Sequence, residues 1–295
     1  MRLPAPIPPL TVPPATPQRR AGGWRTGFED LWRMWIEPVA VARFLIGTLL
    51  LSLLRLPFPR AAILPGFVEY QPGFALLPLL GAMWGAAGCW AAVASSLLTD
   101  GWMELSPSLR LPRAVGMFLA ARCGQCLLVA GGGSAGKWAM AWDFTQMLPS
   151  AAIAALCVAG AAGLYRYYPF VYVSTLSLLQ HLFFLMLFLP LLSRAIRFSP
   201  EEWGGRWPFL LPVASCGRAS RAAGTLIWVG AVGGWLTTYL VSGWLDGIWP
   251  RTIYIIGTVP SGWAPRLALP FILIAALGCF WPIPGQASHR GRSSA

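Results

Sequence analysis

A small set of polar side chains lies within or directly beside the long apolar runs of this sequence. The set is Glu69, Tyr70, Gln71, Asp100, Trp102, Arg122, Gln125, Gln180 and His181. Polar groups inside a membrane are costly, and those that occur there usually have a functional role. Carboxylate, amide, guanidinium and imidazole groups can hydrogen-bond a small polar ligand, so we predict these nine residues as candidates for ligand binding.

The candidates inside apolar runs also have structural interpretations. Gln180 and His181 stand in the run LSLLQHLFFLMLF, where a hydrogen bond between helices explains them about as well as a ligand does. An intramembrane Arg122 needs a carboxylate, a backbone carbonyl, extension of its side chain to the interface, or an anionic ligand. A structural ion pair therefore stays open for it, and its candidate acidic partners are Glu69, Asp100 and Glu104.

Two further motifs resemble functional sites but are better explained without phosphate, metal or redox chemistry. The run GGGSAGKW at 131–138 has the glycines and lysine of a phosphate-binding loop, but Trp138 replaces the Ser or Thr that would hold magnesium. Cys123 and Cys126 have CxxC spacing within an apolar run, which favours helix packing over metal or redox chemistry. The sequence has no Ser-His-Asp grouping and no HExxH motif. We therefore predict no catalytic residues, no metal site, no cofactor and no enzymatic activity.

The composition is typical of an integral membrane protein. Of 295 residues, 56% are hydrophobic and only 11% are charged, whereas soluble domains carry about 25% charged residues. Sixteen Trp residues suit anchoring at membrane interfaces, because indole is apolar with one polar N–H. The net charge of +12 comes from arginines that flank apolar runs, so we predict contact with membrane lipids and no binding to nucleic acid.

Eight apolar segments predict an all-α, polytopic membrane helix bundle. They are 38–54, 73–84, 86–99, 114–131, 149–165, 170–192, 223–243 and 267–283. A membrane span needs about 20 residues. The segments at 73–84 and 86–99 are shorter than that, so we expect them to be tilted, extended by flanking residues, or partly re-entrant.

Changes in composition divide the rest of the chain. We predict a Pro-rich disordered tail at 1–23, an amphipathic interfacial helix at 24–37, a six-helix core at 38–194, a cytoplasmic loop at 195–222, a C-terminal helix pair at 223–283 and a cytoplasmic tail at 284–295.

The basic residues predict the orientation in the membrane. With the N-terminus inside, 13 of the 22 basic residues fall in cytoplasmic segments and seven on the opposite side. This asymmetry predicts both termini on the cytoplasmic side, and we expect a bacterial inner membrane. Glu69 and Asp100 then share the outer face. Arg55 and Arg113 belong to the seven and are interpreted as residues that flank spans.

Residues 69–100 resemble a known family of membrane proteins. The resemblance runs from EYQPG at 69–73 through LLGAMWGAAG at 79–88 to LLTD at 97–100. It is similar to the substrate-capture (S) components of energy-coupling factor (ECF) transporters, and closer to the ECF-like membrane domains that occur alone or as sensors. In that family an extended segment with Arg-Pro-Gly or similar precedes two short helices. Gln71 stands in the place of that Arg.

The resemblance implies a six-helix fold for 38–194 and a ligand held near Glu69–Pro72 and Asp100–Trp102. It also implies partners, namely a transmembrane coupling subunit and two ATPases. Our leading hypothesis is therefore small-molecule binding for transport. A non-transporting accessory subunit of a larger membrane complex is the alternative, and a membrane sensor is a third. Co-purified ATPases would favour transport, whereas a stable integral complex without ATPases would favour the accessory role.

Overall fold

Long apolar runs determine this fold, because backbone N–H and C=O groups in a bilayer must pair within their own segment. The structure is a computed structural model that describes residues 31–32, 34–58, 62–64, 68–130, 139–197, 218–245 and 263–281. Its helices are α1 (Pro38–Arg55), α2 (Leu76–Trp84), α3 (Ala86–Trp102), α4 (Pro107–Ala130), α5 (Ala139–Leu164), α6 (Phe170–Arg197), α7 (Arg218–Trp228), α8 (Gly234–Leu245) and α9 (Trp263–Phe280). A π-helical turn, Val229–Gly233, joins α7 to α8.

The prediction of an all-α membrane bundle is confirmed in outline. Within the described residues, five helices are long and apolar enough to cross a membrane. They are Pro38–Arg55, Phe144–Leu164, Phe170–Phe188, Arg221–Leu245 and Trp263–Phe280. Each of the eight apolar segments contains a helix, and the fourth begins earlier than predicted, at Pro107.

The helix α5 lies at the centre of the bundle, and α1 lies at its edge. The spanning part of α5 is 89% buried, whereas that of α1 is 17% buried. Large apolar side chains are exposed on the outer helices, including Leu45, Ile46 and Leu49 on α1, Leu179 and Phe183 on α6, and Leu269, Leu273 and Leu277 on α9. Soluble monomers rarely expose apolar surface on this scale, so this exterior fits a lipid environment.

The segment before α2 folds back into the bundle. Two short strands, β1 (Ala62–Leu64) and β2 (Val68–Glu69), pair antiparallel with Ala62 opposite Glu69. A 3₁₀ turn, Pro72–Ala75, then leads directly into α2. The nine residues of α2 cover only about 14 Å, which is less than half of a membrane's hydrocarbon thickness. Gly85 ends α2 with a φ of 57°, which suits glycine.

Glycines let α2 approach its neighbours at backbone distance. A Cβ placed on Gly81 would collide with the backbone of Ala121, and one placed on Gly124 would collide with Pro78. Both contacts join α2 to α4. Small residues at such positions allow close helix packing in membranes, where dispersion contacts replace the hydrophobic effect between helices. Close packing against α4 therefore holds the short helix α2 inside the bundle.

The C-terminal helices share one core with the helices before them. Ile227, Ala231, Ala268 and Cys279 are buried in the same apolar cluster as Ala154 of α5. The sequence suggested a helix pair added to a separate six-helix core. In the structure α7, α8 and α9 pack against helices of that predicted core, namely α4, α5 and α6.

The described end of the N-terminal segment packs on the bundle. Leu31 and Met34 are buried beside Ala86 and Ala87, and the Trp90 indole N–H donates to the Leu31 carbonyl at 3.2 Å. These residues belong to the interfacial helix predicted at 24–37, and this part of it contacts protein. The predictions for 1–23, for the loop at 131–138 and for 284–295 lie outside the described residues.

Candidate functional site

Two arginines and two carboxylates meet at one end of the bundle. Arg55 is the last residue of α1, Glu69 ends β2, Asp100 lies in the last turn of α3 and Arg113 lies in the second turn of α4. Their exposed fractions are 7%, 3%, 0% and 2%. We call these four residues the charge network. It carries two formal positive and two formal negative charges, so it is neutral as a whole.

Each arginine of the charge network contacts both carboxylates. The Arg113 Nη1 donates to Asp100 Oδ1 at 3.0 Å and to Glu69 Oε2 at 3.3 Å. The Arg55 Nη2 donates to Glu69 Oε2 at 3.1 Å and also pairs with Asp100 Oδ1. Removing one partner from a buried ion pair leaves an uncompensated charge and is strongly destabilising. The four side chains therefore stabilise one another as a unit.

The last turns of α3 supply the hydroxyl groups that support this network. Arg55 Nη1 donates to Thr99 Oγ1 at 2.6 Å, and Ser96 Oγ donates to Asp100 Oδ2 at 3.2 Å. The Thr99 hydroxyl in turn donates to the carbonyl of Ser95 at 2.7 Å. Residues three and four apart share one helix face, so the sequence SSLLTD places these groups on the same side of α3.

The helix α6 holds the segment that carries Glu69. The Gln180 side-chain amide donates to the backbone carbonyl of Glu69. The next residue, His181, stacks on Phe74 with ring centroids 3.7 Å apart and planes 12° from parallel. Gln180 lies about 15 Å along the helix from Phe170. The segment before α2 therefore reaches well into the bundle, as a re-entrant element does.

A small cavity lies beside the charge network. Its volume is about 30 Å³, which is room for about two water molecules. The polar residues that line it are Arg55, Gln71, Ser95 and Ser96, and the apolar ones include Leu51, Phe74 and Met117. The buried Nε of Arg55 has no hydrogen-bond partner among the described residues. The cavity is therefore lined by one amide, two hydroxyl groups and an arginine whose Nε makes no hydrogen bond within the described residues.

Arg122 and Gln125 form a different cluster, in which Arg122 meets a backbone carbonyl, one of the partners considered for it, and not one of the candidate carboxylates. Arg122 donates to the Gln125 side-chain oxygen and, through Nε, to the Cys279 carbonyl at 3.2 Å. Among the described residues Arg122 forms no salt bridge. Its expected partners Glu69 and Asp100 are bound to other arginines, because Arg113 is closer to them along α4.

The two cysteines of the CxxC pair pack against α9. Cys123 Sγ lies 3.6 Å from Cys279 Sγ, and Cys126 Sγ contacts the Cys279 carbonyl at 3.5 Å. All three are buried. This arrangement agrees with the interpretation of the pair as helix-packing residues. Within the described residues no group of His, Cys, Asp or Glu could hold a metal ion.

The remaining candidates separate by exposure. Trp102 is 77% exposed. Tyr70 is 41% exposed and makes an edge contact with Phe184, with ring centroids 6.5 Å apart. The structure thus gathers Glu69, Gln71, Asp100, Gln180 and His181 around one site. It places Tyr70 at the rim and Trp102 on the surface.

Two central residues of the site were not predicted from the sequence. Arg55 and Arg113 were interpreted as arginines flanking spans, yet both are buried. A signal was present, because an arginine at the end of an apolar helix either extends to the membrane interface or pairs with a carboxylate. Glu69 and Asp100, at neighbouring span ends, were the available carboxylates.

Comparisons with family models, with curated proteins and with solved structures find no match to this chain. The resemblance of residues 69–100 to ECF substrate-capture components therefore stays a prediction.

Neutralising one carboxylate tests the charge network. We expect Asp100→Asn to lower the free energy of unfolding by about 3 kcal/mol, because two buried arginines would then face one carboxylate. Glu104→Gln is the matched control, since Glu104 is exposed four residues further on, and its effect should stay within about 0.5 kcal/mol. Unfolding of both variants in detergent would measure this. Equal effects of the two substitutions would contradict the network's role.

Proposed function

We propose that this protein binds a small polar molecule inside the membrane, as a substrate-capture subunit for transport does. The supporting observation is the cavity beside Arg55, Gln71 and Ser96, together with the Nε of Arg55, which has no hydrogen-bond partner in the described part of the chain. Ligand pockets combine apolar walls with a few polar groups that fix orientation. Intramembrane ionisable groups are common at substrate pathways.

The size of the cavity implies movement on binding. At about 30 Å³ it accepts about two water molecules, so an organic ligand requires displacement of part of its wall. The re-entrant segment, residues 68–75, forms one wall of the cavity. It has little regular secondary structure, and Gln180 and His181 hold it through side-chain contacts. Opening at this segment is therefore part of the proposal.

The proposal includes location and partners. We place the protein in the bacterial cytoplasmic membrane with both termini inside, on the basis of the arginine distribution. The transport role requires a transmembrane coupling subunit and ATPases, and the exposed apolar side of α1 is available for contact with lipid or with such a subunit.

The orientation can be checked by chemical labelling. In a Cys216→Ser background, Glu104→Cys should react with a membrane-impermeant maleimide in intact spheroplasts, because Glu104 is exposed at the end of the bundle assigned to the outside. Arg221→Cys, exposed at the start of the spanning segment Arg221–Leu245, should react only after the membrane is opened. The reverse pattern would overturn the assigned orientation. The native cysteines at 89, 123, 126, 157 and 279 are buried.

Binding can be tested with one near-isosteric substitution. Native mass spectrometry of the protein purified from its own membranes should detect a bound small molecule, and the same spectra show co-purifying subunits. Gln71→Leu should lower the fraction of protein that carries the bound molecule at least tenfold. The substitution removes an amide from the cavity wall and leaves the four residues of the charge network unchanged. Gln146→Leu, half-buried on α5, is the matched control and should retain it. No bound molecule in the unmodified protein, or equal retention in both variants, would sink the proposal.

A further inference from the structure

The arginine pair of the charge network has the form of a carboxylate-binding site. Arg55 Nη2 and Arg113 Nη1 both contact the same oxygen of Glu69, at 3.1 and 3.3 Å. Arginine is the side chain best suited to carboxylates, because its planar donors match their geometry and it keeps its charge when buried. One of the two carboxylates in this network therefore stands where an external carboxylate could bind.

The two carboxylates are held very differently. Asp100 is fully buried on a regular helix, and Ser96 supports its second oxygen. Glu69 is carried by a two-residue strand, next to Tyr70, which is 41% exposed. The distances from the two arginines to Glu69 are also longer than the roughly 2.7–2.9 Å that is typical of charge-assisted hydrogen bonds. Glu69 is thus the more easily replaced of the two.

The surroundings of Arg55 provide for a second ligand oxygen. Its Nε is buried without a hydrogen-bond partner among the described residues, although the residue is only 7% exposed. Arg55 also lines the cavity, together with Gln71. A carboxylate in the place of Glu69 could therefore extend its attached group toward the cavity and use a donor that Glu69 leaves unused.

We propose that Arg55 and Arg113 form a site for a small-molecule carboxylate, which Glu69 occupies in the unliganded protein and leaves when ligand binds. This inference rests on the proposed function and names its ligand class. Exchange of one carboxylate for another keeps the buried network neutral, with Asp100 as the second negative charge. A dianionic phosphate would leave an excess negative charge there, so a monocarboxylate is the ligand class that the charges favour.

Chemical rescue tests the exchange. Glu69→Ala removes the internal carboxylate and leaves Asp100 as the one carboxylate of the charge network. Sodium acetate and formate should then raise the melting temperature of this variant in detergent in a saturable manner, by about 5 °C at concentrations well above the dissociation constant. Sodium chloride at the same ionic strength should give less than a third of that rise. Glu104→Ala is the matched control, and acetate should not stabilise it more than the unmodified protein.

A second variant covers the case in which Glu69→Ala does not fold. Glu69→Gln keeps the shape of the side chain and removes its charge, so the internal competitor is weaker. The acetate concentration for half-maximal stabilisation should be at least tenfold lower in Glu69→Gln than in the unmodified protein. If acetate and chloride act alike on both Glu69 variants, the network is a structural ion pair only and the inference is wrong.

The two proposals can fail separately. Loss of a bound molecule in Gln71→Leu together with no carboxylate effect in the Glu69 variants would overturn the carboxylate inference and leave ligand binding intact. Rescue by acetate in the Glu69 variants supports the carboxylate site whether or not a molecule co-purifies with the unmodified protein.

Discussion

The buried charge network is the constraint on which the rest of this structure depends. Arg55, Glu69, Asp100 and Arg113 come from four different elements, and each is at least nine-tenths buried. Single buried charges are too costly to persist, whereas paired ones hydrogen-bonded on several sides can be accommodated. Four elements must therefore converge at one point: the ends of α1 and α3, the start of α4 and the strand β2. This convergence fixes the arrangement of the helices at that end of the bundle.

Close packing between helices makes this convergence possible. The re-entrant segment can reach the network only because α2 is short and lies directly on α4, with Gly81 against Ala121 and Gly124 against Pro78. Small residues also dominate the central helix, where Ala151, Ala154 and Ala155 are fully buried, among others. The interior is thus narrow, and the cavity that remains beside Arg55 is small. This cavity lies where buried charged side chains already stand, since Arg55 lines it.

Much of the fold could be predicted from the sequence, because helices in a membrane follow from apolar runs and length alone. The break at Gly85, the short helices around it and the shared location of Glu69 and Asp100 were all accessible in this way. The partners of those carboxylates were not, since Arg55 and Asp100 are 45 residues apart and local patterns do not encode such pairs. Those partners require the three-dimensional arrangement of the helices.

The separation of Arg122 from the carboxylates has a simple geometric cause. Arg113 and Arg122 are nine residues apart on one helix, which turns about 100° per residue and so places them on opposite faces. Only one of them can face the carboxylates, and Arg113 does so. Arg122 faces α9 and finds a backbone carbonyl at Cys279. Helical periodicity could have shown that the two arginines serve different sites, but not which one meets Asp100.

The most direct test of the central claim is a double-mutant cycle between Asp100 and Arg113. The free energy of unfolding would be measured in detergent for Asp100→Asn, Arg113→Gln and the combined variant. Since the combined variant keeps Arg55 with Glu69 as a neutral pair, it should be more stable than the sum of the single effects by about 1–3 kcal/mol. Additive effects within error would show that the two charges are not coupled and would contradict this account.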